Sequence, residues 1–182
     1  MPSNQFNTFE LGDVVVPIHS AFTLSQNYAT LGGYTTLRML DGAAVKQTNW
    51  QKMSVATSGT GTIPHGLEML DYTQQLVMKC AAVRGVVSSS NAMAIPAERR
   101  TDVPFQARGY AYLDADGKNR GEWVDTVITD LTGNIATLQS VANATQYRVI
   151  YYPEIIVFCD PPSQDTDVHG AAVSWSLQAE QV

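Results

Sequence analysis

Alternation of apolar and polar side chains, rather than a helical repeat, runs through most of this chain. It is cleanest over residues 172–179, where Val173, Trp175, Leu177 and Ala179 point one way and Ser174, Ser176, Gln178 and Glu180 the other. A period of two marks a strand with one buried and one wet face. Residues 21–24 and 34–40 alternate more loosely and are rich in Thr and Tyr, which suit strands. Leu31-Gly32-Gly33 between them predicts a flexible turn. Asp41-Gly42 is the strongest short-range hairpin signal, with residues 43–50 as the returning strand and 51–57 as a third. Val14-Val15-Val16 opens an apolar run that Pro17, lacking an N–H for a ladder, demotes toward an edge or a bend.

Residues 64–72 read differently. Pro64 suits the first turn of a helix, and Leu67, Met69 and Leu70 would form its apolar face. One short helix is expected here, then a strand over 74–82; a single helix over 64–83 is the alternative. Ser88-Ser89-Ser90-Asn91 is loop-like, and residues 92–97 lead into the polar Glu98-Arg99-Arg100. Residues 105–152 look like two hairpins. The first joins 107–113 to 122–129 around Asp114-Ala115-Asp116-Gly117, the second 135–141 to 146–152 around Ala142-Asn143-Ala144-Thr145. After Pro153, the unbroken run Ile155-Ile156-Val157-Phe158-Cys159 suits a central strand.

Many short strands with frequent turns predict a mainly β chain: an antiparallel β-sandwich or barrel with one short helix and projecting hairpins. At 182 residues it can bury a sizeable core. Residues 1–104 and 153–182 are expected to form the β-sandwich core, with 105–152 a hairpin insertion or arm packed on it.

Composition adds one point. Charged residues make up 15% of the chain, against about 25% in ordinary soluble domains, so uncharged polar residues supply much of the surface. Such a surface suits subunits packed tightly against others, because interface cores are depleted of charge, and it equally suits a neutral free domain. The formal charge of −6, with Arg99-Arg100 the one adjacent basic pair, argues against nucleic-acid binding. Met1-Pro2-Ser3-Asn4-Gln5 lacks a signal peptide's basic start and apolar run. No segment approaches the ~20 apolar residues that span a bilayer, so no membrane insertion and synthesis in a cytoplasm are expected.

Candidate chemistry is sparse. His19, His65 and His169 lie in unrelated contexts, and no serine sits in a G-x-S-x-G elbow, so no catalytic set of nucleophile, base and orienting group stands out. Asp114, Asp116 and Gly117, with Asn119 and Glu122 beyond, faintly resemble a calcium loop, but the glutamate comes too early for an EF-hand and Asp-Gly is also a common hairpin turn. Asp165, Asp167 and His169 offer two carboxylates and an imidazole within a loop that is polar in any case. Gly59 and Gly61 lack the lysine of a phosphate loop. Cys80 and Cys159 each sit in an apolar run and read as buried thiols. Trp50, Trp123 and Trp175 could stack on sugar rings, but alternation assigns Trp175 to the core, and packing is the simpler role for Trp50 and Trp123. No enzyme activity, cofactor or metal is therefore expected.

One stretch carries a resemblance. Leu37-Arg38-Met39-Leu40-Asp41-Gly42-Ala43-Ala44-Val45-Lys46-Gln47 leads to Trp50-Gln51-Lys52-Met53, then Gly59-Thr60-Gly61, Pro64, Gly66-Leu67 and Leu70-Asp71-Tyr72. This resembles virion proteins encoded in the tail modules of tailed bacteriophages and prophages. The end of the chain, from Val173 to Glu180, is similar to terminal strands of small β-rich minor tail proteins. The resemblance covers the first half and the final strand, and its motifs are structural. It implies a ring-forming component, a hexamer by family habit, at the distal end of the tail (tail tip or baseplate), joining the tail tube to host-recognition proteins. A neck, tail-terminator or head-decoration protein, or a carbohydrate-binding β-sandwich for host adsorption, is the alternative.

Overall fold

The structure, a computed structural model, describes residues 8–17, 23–114, 121–166 and 173–182. It is mainly β, with 64% of the described residues in strands and 2% helical. In chain order the described strands are β1 (Thr8–Leu11), β2 (Val14–Pro17), β3 (Leu24–Arg38), β4 (Ala44–Thr60), β5 (Leu76–Lys79), β6 (Arg84–Ser88), β7 (Ala92–Ala94), β8 (Arg108–Leu113), β9 (Glu122–Thr126), β10 (Ile128–Thr132), β11 (Ile135–Leu138), β12 (Ala144–Tyr151), β13 (Glu154–Cys159), β14 (Ser163–Thr166) and β15 (Val173–Gln181). The chain divides into two compact units, one made of Phe6–Met78 with Ile155–Val182, the other containing Lys79–Glu154. Residues 105–152 thus share a unit with 79–104.

The first unit is a single open sheet in the order β2-β1-β5-β13-β15-β4-β3, with β14 also on β15. It does not close into a barrel. Alternation builds its buried face: Trp175, Leu177 and Ala179 of β15 and Ile155, Val157 and Cys159 of β13 are buried while their neighbours are exposed. Each large apolar side chain buried this way stabilises the fold by about 1.5–3 kcal/mol relative to exposure. The expectation for β15 holds, and so does the central place of β13. One face of β13 is nevertheless exposed, at Ile156 and Phe158. Pro17 sits on β2, an edge strand, where a missing N–H costs the ladder nothing.

Three expectations for this unit are corrected. Leu31-Gly32-Gly33 is not a turn: β3 runs unbroken for 15 residues through it, with a bulge between Gly33 and Tyr34. The glycine is needed for clearance across the ladder, since a Cβ on Gly33 would collide with the indole of Trp50. Residues 44–57 likewise belong to one strand, β4, which runs 17 residues to Thr60 with no turn chemistry to interrupt it. The short helix over 64–72 shrinks to a 3-10 turn at Leu67–Met69, bounded by Gly66 at φ 96° and the extended Leu70. Leu67 alone of the expected apolar face is buried, and Met69 is 89% exposed. The Asp41-Gly42 hairpin forms as expected, closed by Gly42 N–H to Met39 O at 2.9 Å, with Gly42 at φ 83°.

The second unit is a sandwich. A sheet in the order β10-β11-β7 and another in the order β6-β12-β8-β9 enclose one core. Met93, Ala136 and Leu138 come from the first sheet, Ala111, Tyr147 and Val149 from the second. Leu138 fits over Gly109, whose Cβ would stand inside its side chain. The β8–β9 hairpin forms as expected. The hairpin expected around Ala142–Thr145 does not: β11 pairs with β10 and β7, whereas β12 pairs with β6 and β8. A turn-like tetrapeptide says where a chain bends, not which sheet it joins next. The true hairpin is β10–β11, turned by Gly133 and Asn134 at φ 60° and 63°, the positive pair a tight primed turn requires.

Candidate functional site

The feature that sets the first unit apart is a β-arm. β15 pairs with β4 only from Ser54 to Thr60. Beyond that, residues 30–38 of β3 and 44–53 of β4 pair with nothing but each other. Two bonds tie the base of this ribbon to the end of β15: the Met53 N–H donates to Gln181 Oε1 at 3.0 Å, and Lys52 Nζ donates to the Val182 carbonyl. Every residue from 34 to 52 is exposed. Eight residues past Lys52 reach about 25 Å at ~3.3 Å each. A free two-stranded ribbon is marginal in water, so this one takes its order from the sheet that its strands enter.

Strand pairing sorts the arm's side chains onto two faces, because directly opposed residues point the same way. Leu37 opposes Val45 and Gly33 opposes Trp50, which share one face. Tyr34 opposes Thr48 and Thr36 opposes Lys46 on the other, where the Lys46 ammonium sits 4.8 Å from the Tyr34 ring centre. A shallow cavity of about 320 Å³ is lined by Thr30, Tyr34, Lys46, Thr48, Trp50 and Gln51. The bulge places Trp50 and Tyr34 on opposite faces, so their rings do not form one stacking platform. At the tip, Leu37, Met39 and Leu40 are exposed, Leu40 completely.

A second cavity, about 570 Å³, lies within the sandwich unit, lined by Arg99, Arg100, Arg108, Asp125, Ile128 and Leu131 among others. Its cations are largely committed. Arg100 bonds Asp102 and the Cys80 carbonyl, and Arg99 donates to Pro96 O and to Asn134 Oδ1. With Asp125 in the same wall, this is not a strongly positive pocket.

No protein-family model, curated protein or solved structure matches this chain.

Of the residues singled out from sequence, Trp175 is in the core, at 3% exposure, and Trp50 is half exposed. Trp123 is half-buried, its ring tilted at 51° against that of Tyr112 with centres 5.2 Å apart and 4.5 Å from the Arg148 guanidinium, a packing role. Cys80 and Cys159 are both buried free thiols, and burial first, then the charge of Asp160, pushes Cys159 up to about 12. His65 is exposed; His19 and His169 lie outside the described residues, as do Asp116, Gly117, Asn119 and Asp167. Asp114, Glu122 and Asp165 are described but exposed, and among the described residues no three His, Cys, Asp or Glu side chains gather as a metal site would need. Nor does any described helix have the length and apolarity to cross a membrane.

Sequence reading missed the arm itself. Its signal was present in the uninterrupted β-prone run on both sides of Asp41-Gly42, masked by reading Gly32-Gly33 as a turn.

Proposed function

We propose that this chain is a structural assembly subunit, a ring-forming component at the distal end of a tailed-phage tail that joins the tail tube to host-recognition proteins. The observation that supports it best is the arm, a two-stranded ribbon with an apolar tip and no partner within its own sheet. Large exposed apolar groups clustered at one place mark interaction surfaces, and strand ribbons are a recurrent way for one protein to grip another. The placing in a phage tail comes from the resemblance of residues 34–72 and of the terminal strand from Val173 to Glu180. A neck, tail-terminator or head-decoration subunit would use the same arm. The test is negative-stain imaging and sedimentation of the purified chain: ring particles of one stoichiometry are expected, and a chain that stays monomeric at high concentration overturns the reading.

One observation favours a second reading, carbohydrate binding. Trp50 is half exposed beside the polar cavity on the arm. A glycan array would show selective binding that Trp50→Ala abolishes; a blank array ends it.

A further inference from the structure

Charge in the first unit is segregated. All of its lysines and arginines, Arg38, Lys46 and Lys52, lie on the arm, which carries one acid, Asp41. The rest of that unit has eight Asp and Glu and no Lys or Arg. The outer face of the sheet combines this acidity with apolar exposure. Phe158 and Ile156 of β13 are about half exposed, and Val77 of the adjacent β5 is 41% exposed. Glu180 opposes Phe158 directly and so shares its face. Glu10 lies on the same outer side of β1, between the buried Phe9 and Leu11.

The arm and this face are complementary in both respects: basic with an apolar tip, acidic with an apolar centre. The arm's strands continue the β3–β4 ladder of their own sheet, with one bulge between Gly33 and Tyr34. We propose that the arm of one copy docks on the outer face of the sheet in a second copy, Leu40 at the tip meeting Ile156 and Phe158 while Arg38 and Lys46, which share one face of the ribbon, face Glu180 and Glu10. This rests on the reading of the chain as a self-assembling subunit. One surface used as donor and a different one as acceptor makes a head-to-tail contact, which closes into a ring or grows into a filament.

Sedimentation velocity tests it. The wild-type chain should self-associate, roughly tenfold more weakly when salt rises from about 0.05 to 0.5 M. The arm variant R38E/K46E and the face variant E10K/E180K should each lose association at least about tenfold, since each sets like charges opposite one another. Mixing the two should restore it, because each arm then meets a face of opposite sign. Circular dichroism checks that both variants are folded. If either is not, a chain with Leu40→Cys mixed with one carrying Phe158→Cys should give a disulfide-linked heterodimer under mild oxidation, and its absence counts against the contact. Wild-type association indifferent to all of these changes overturns the docking but leaves the assembly reading standing. A wild-type chain monomeric throughout overturns both.

Discussion

Arg100 and Asp102 are joined by a two-pronged ion pair, Nε to Oδ1 at 3.0 Å and Nη2 to Oδ2 at 2.7 Å, with the guanidinium wholly buried and the carboxylate about two-fifths exposed. Around it the guanidinium also donates to Cys80 O at 3.2 Å and lies 3.4 Å over the Phe105 ring, which in turn meets Tyr152 edge-on at 4.9 Å. A buried cation is tolerated only while its partners persist. Asp102→Ala should therefore destabilise the sandwich unit. The loss should lie near the lower end of the roughly 3–5 kcal/mol seen when buried pairs are broken, because Asp102 itself is partly in water. Urea denaturation followed by Trp fluorescence measures it.

The same pair sets an acid limit. The hydrogen bond from Arg100 holds the Asp102 carboxyl below its ordinary value of 3.8. A depressed folded value means stability that is whole above the unfolded value and is lost as pH falls below it through the folded one. The urea midpoint should fall as pH is lowered from about 5 to about 2.5, and Asp102→Asn should lower the starting midpoint and flatten that slope. An unchanged slope in the variant would contradict this account.

Alkaline conditions probe the first unit. Cys159 and Tyr72 are both pushed up to about 12, each chiefly by burial, and the Tyr72 hydroxyl donates to Leu67 O at 2.6 Å. Raised values favour the protonated folded form, so stability should decline as pH rises above about 9, where the unfolded thiol ionises first. Cys159→Ala should remove part of that decline. Neither thiol should react with a thiol reagent near pH 8 until the chain unfolds.

Gly59 and Trp175 face each other across β4 and β15, and a Cβ on Gly59 would come within 2.7 Å of the indole and 2.8 Å of the Thr23 carbonyl. The indole is in the core and the carbonyl is backbone, so neither yields easily. Gly59→Ala should cost about 1–3 kcal/mol through overpacking. Gly33→Ala should instead displace the half-exposed Trp50, shifting its fluorescence with little change in the melting midpoint.

At the tip, Leu40→Asp should leave folding stability within about 0.5 kcal/mol, as expected of exposed positions, while reducing self-association. Loss of both together would mean that the tip is structural in the monomer.

How far the sequence disclosed all this depends on the range of the interaction. Trp175, Leu177 and Ala179 were legible because burial on a sheet is written in period two along one strand. Asp41-Gly42 was legible because a tight turn is local chemistry. Gly32-Gly33 misled because glycine serves equally for a turn and for clearance under Trp50, whose position opposite is set by register some 17 residues away. The separation of β11 from β12 was invisible for a similar reason: Ala142–Thr145 bends the chain without naming a partner strand. Gly133-Asn134 was a readable hairpin signal that went unused. The charge segregation needed only counting, but the count means something only once the boundary at Met78 and the base of the arm at Met53 are known.

The arm also makes the chain divisible. Its tip, Met39 to Ala43, is the exposed end of a ribbon whose two strands remain paired back to Leu24 and Gly59 inside the sheet. A protease cut between Leu40 and Asp41 would sever one covalent bond and no ladder, since β1 and β2 on one side of the cut lie in the same sheet as β5, β13 and β15 on the other. Two fragments, 1–40 and 41–182, should therefore stay together as a nicked whole, and separately made halves should find each other again.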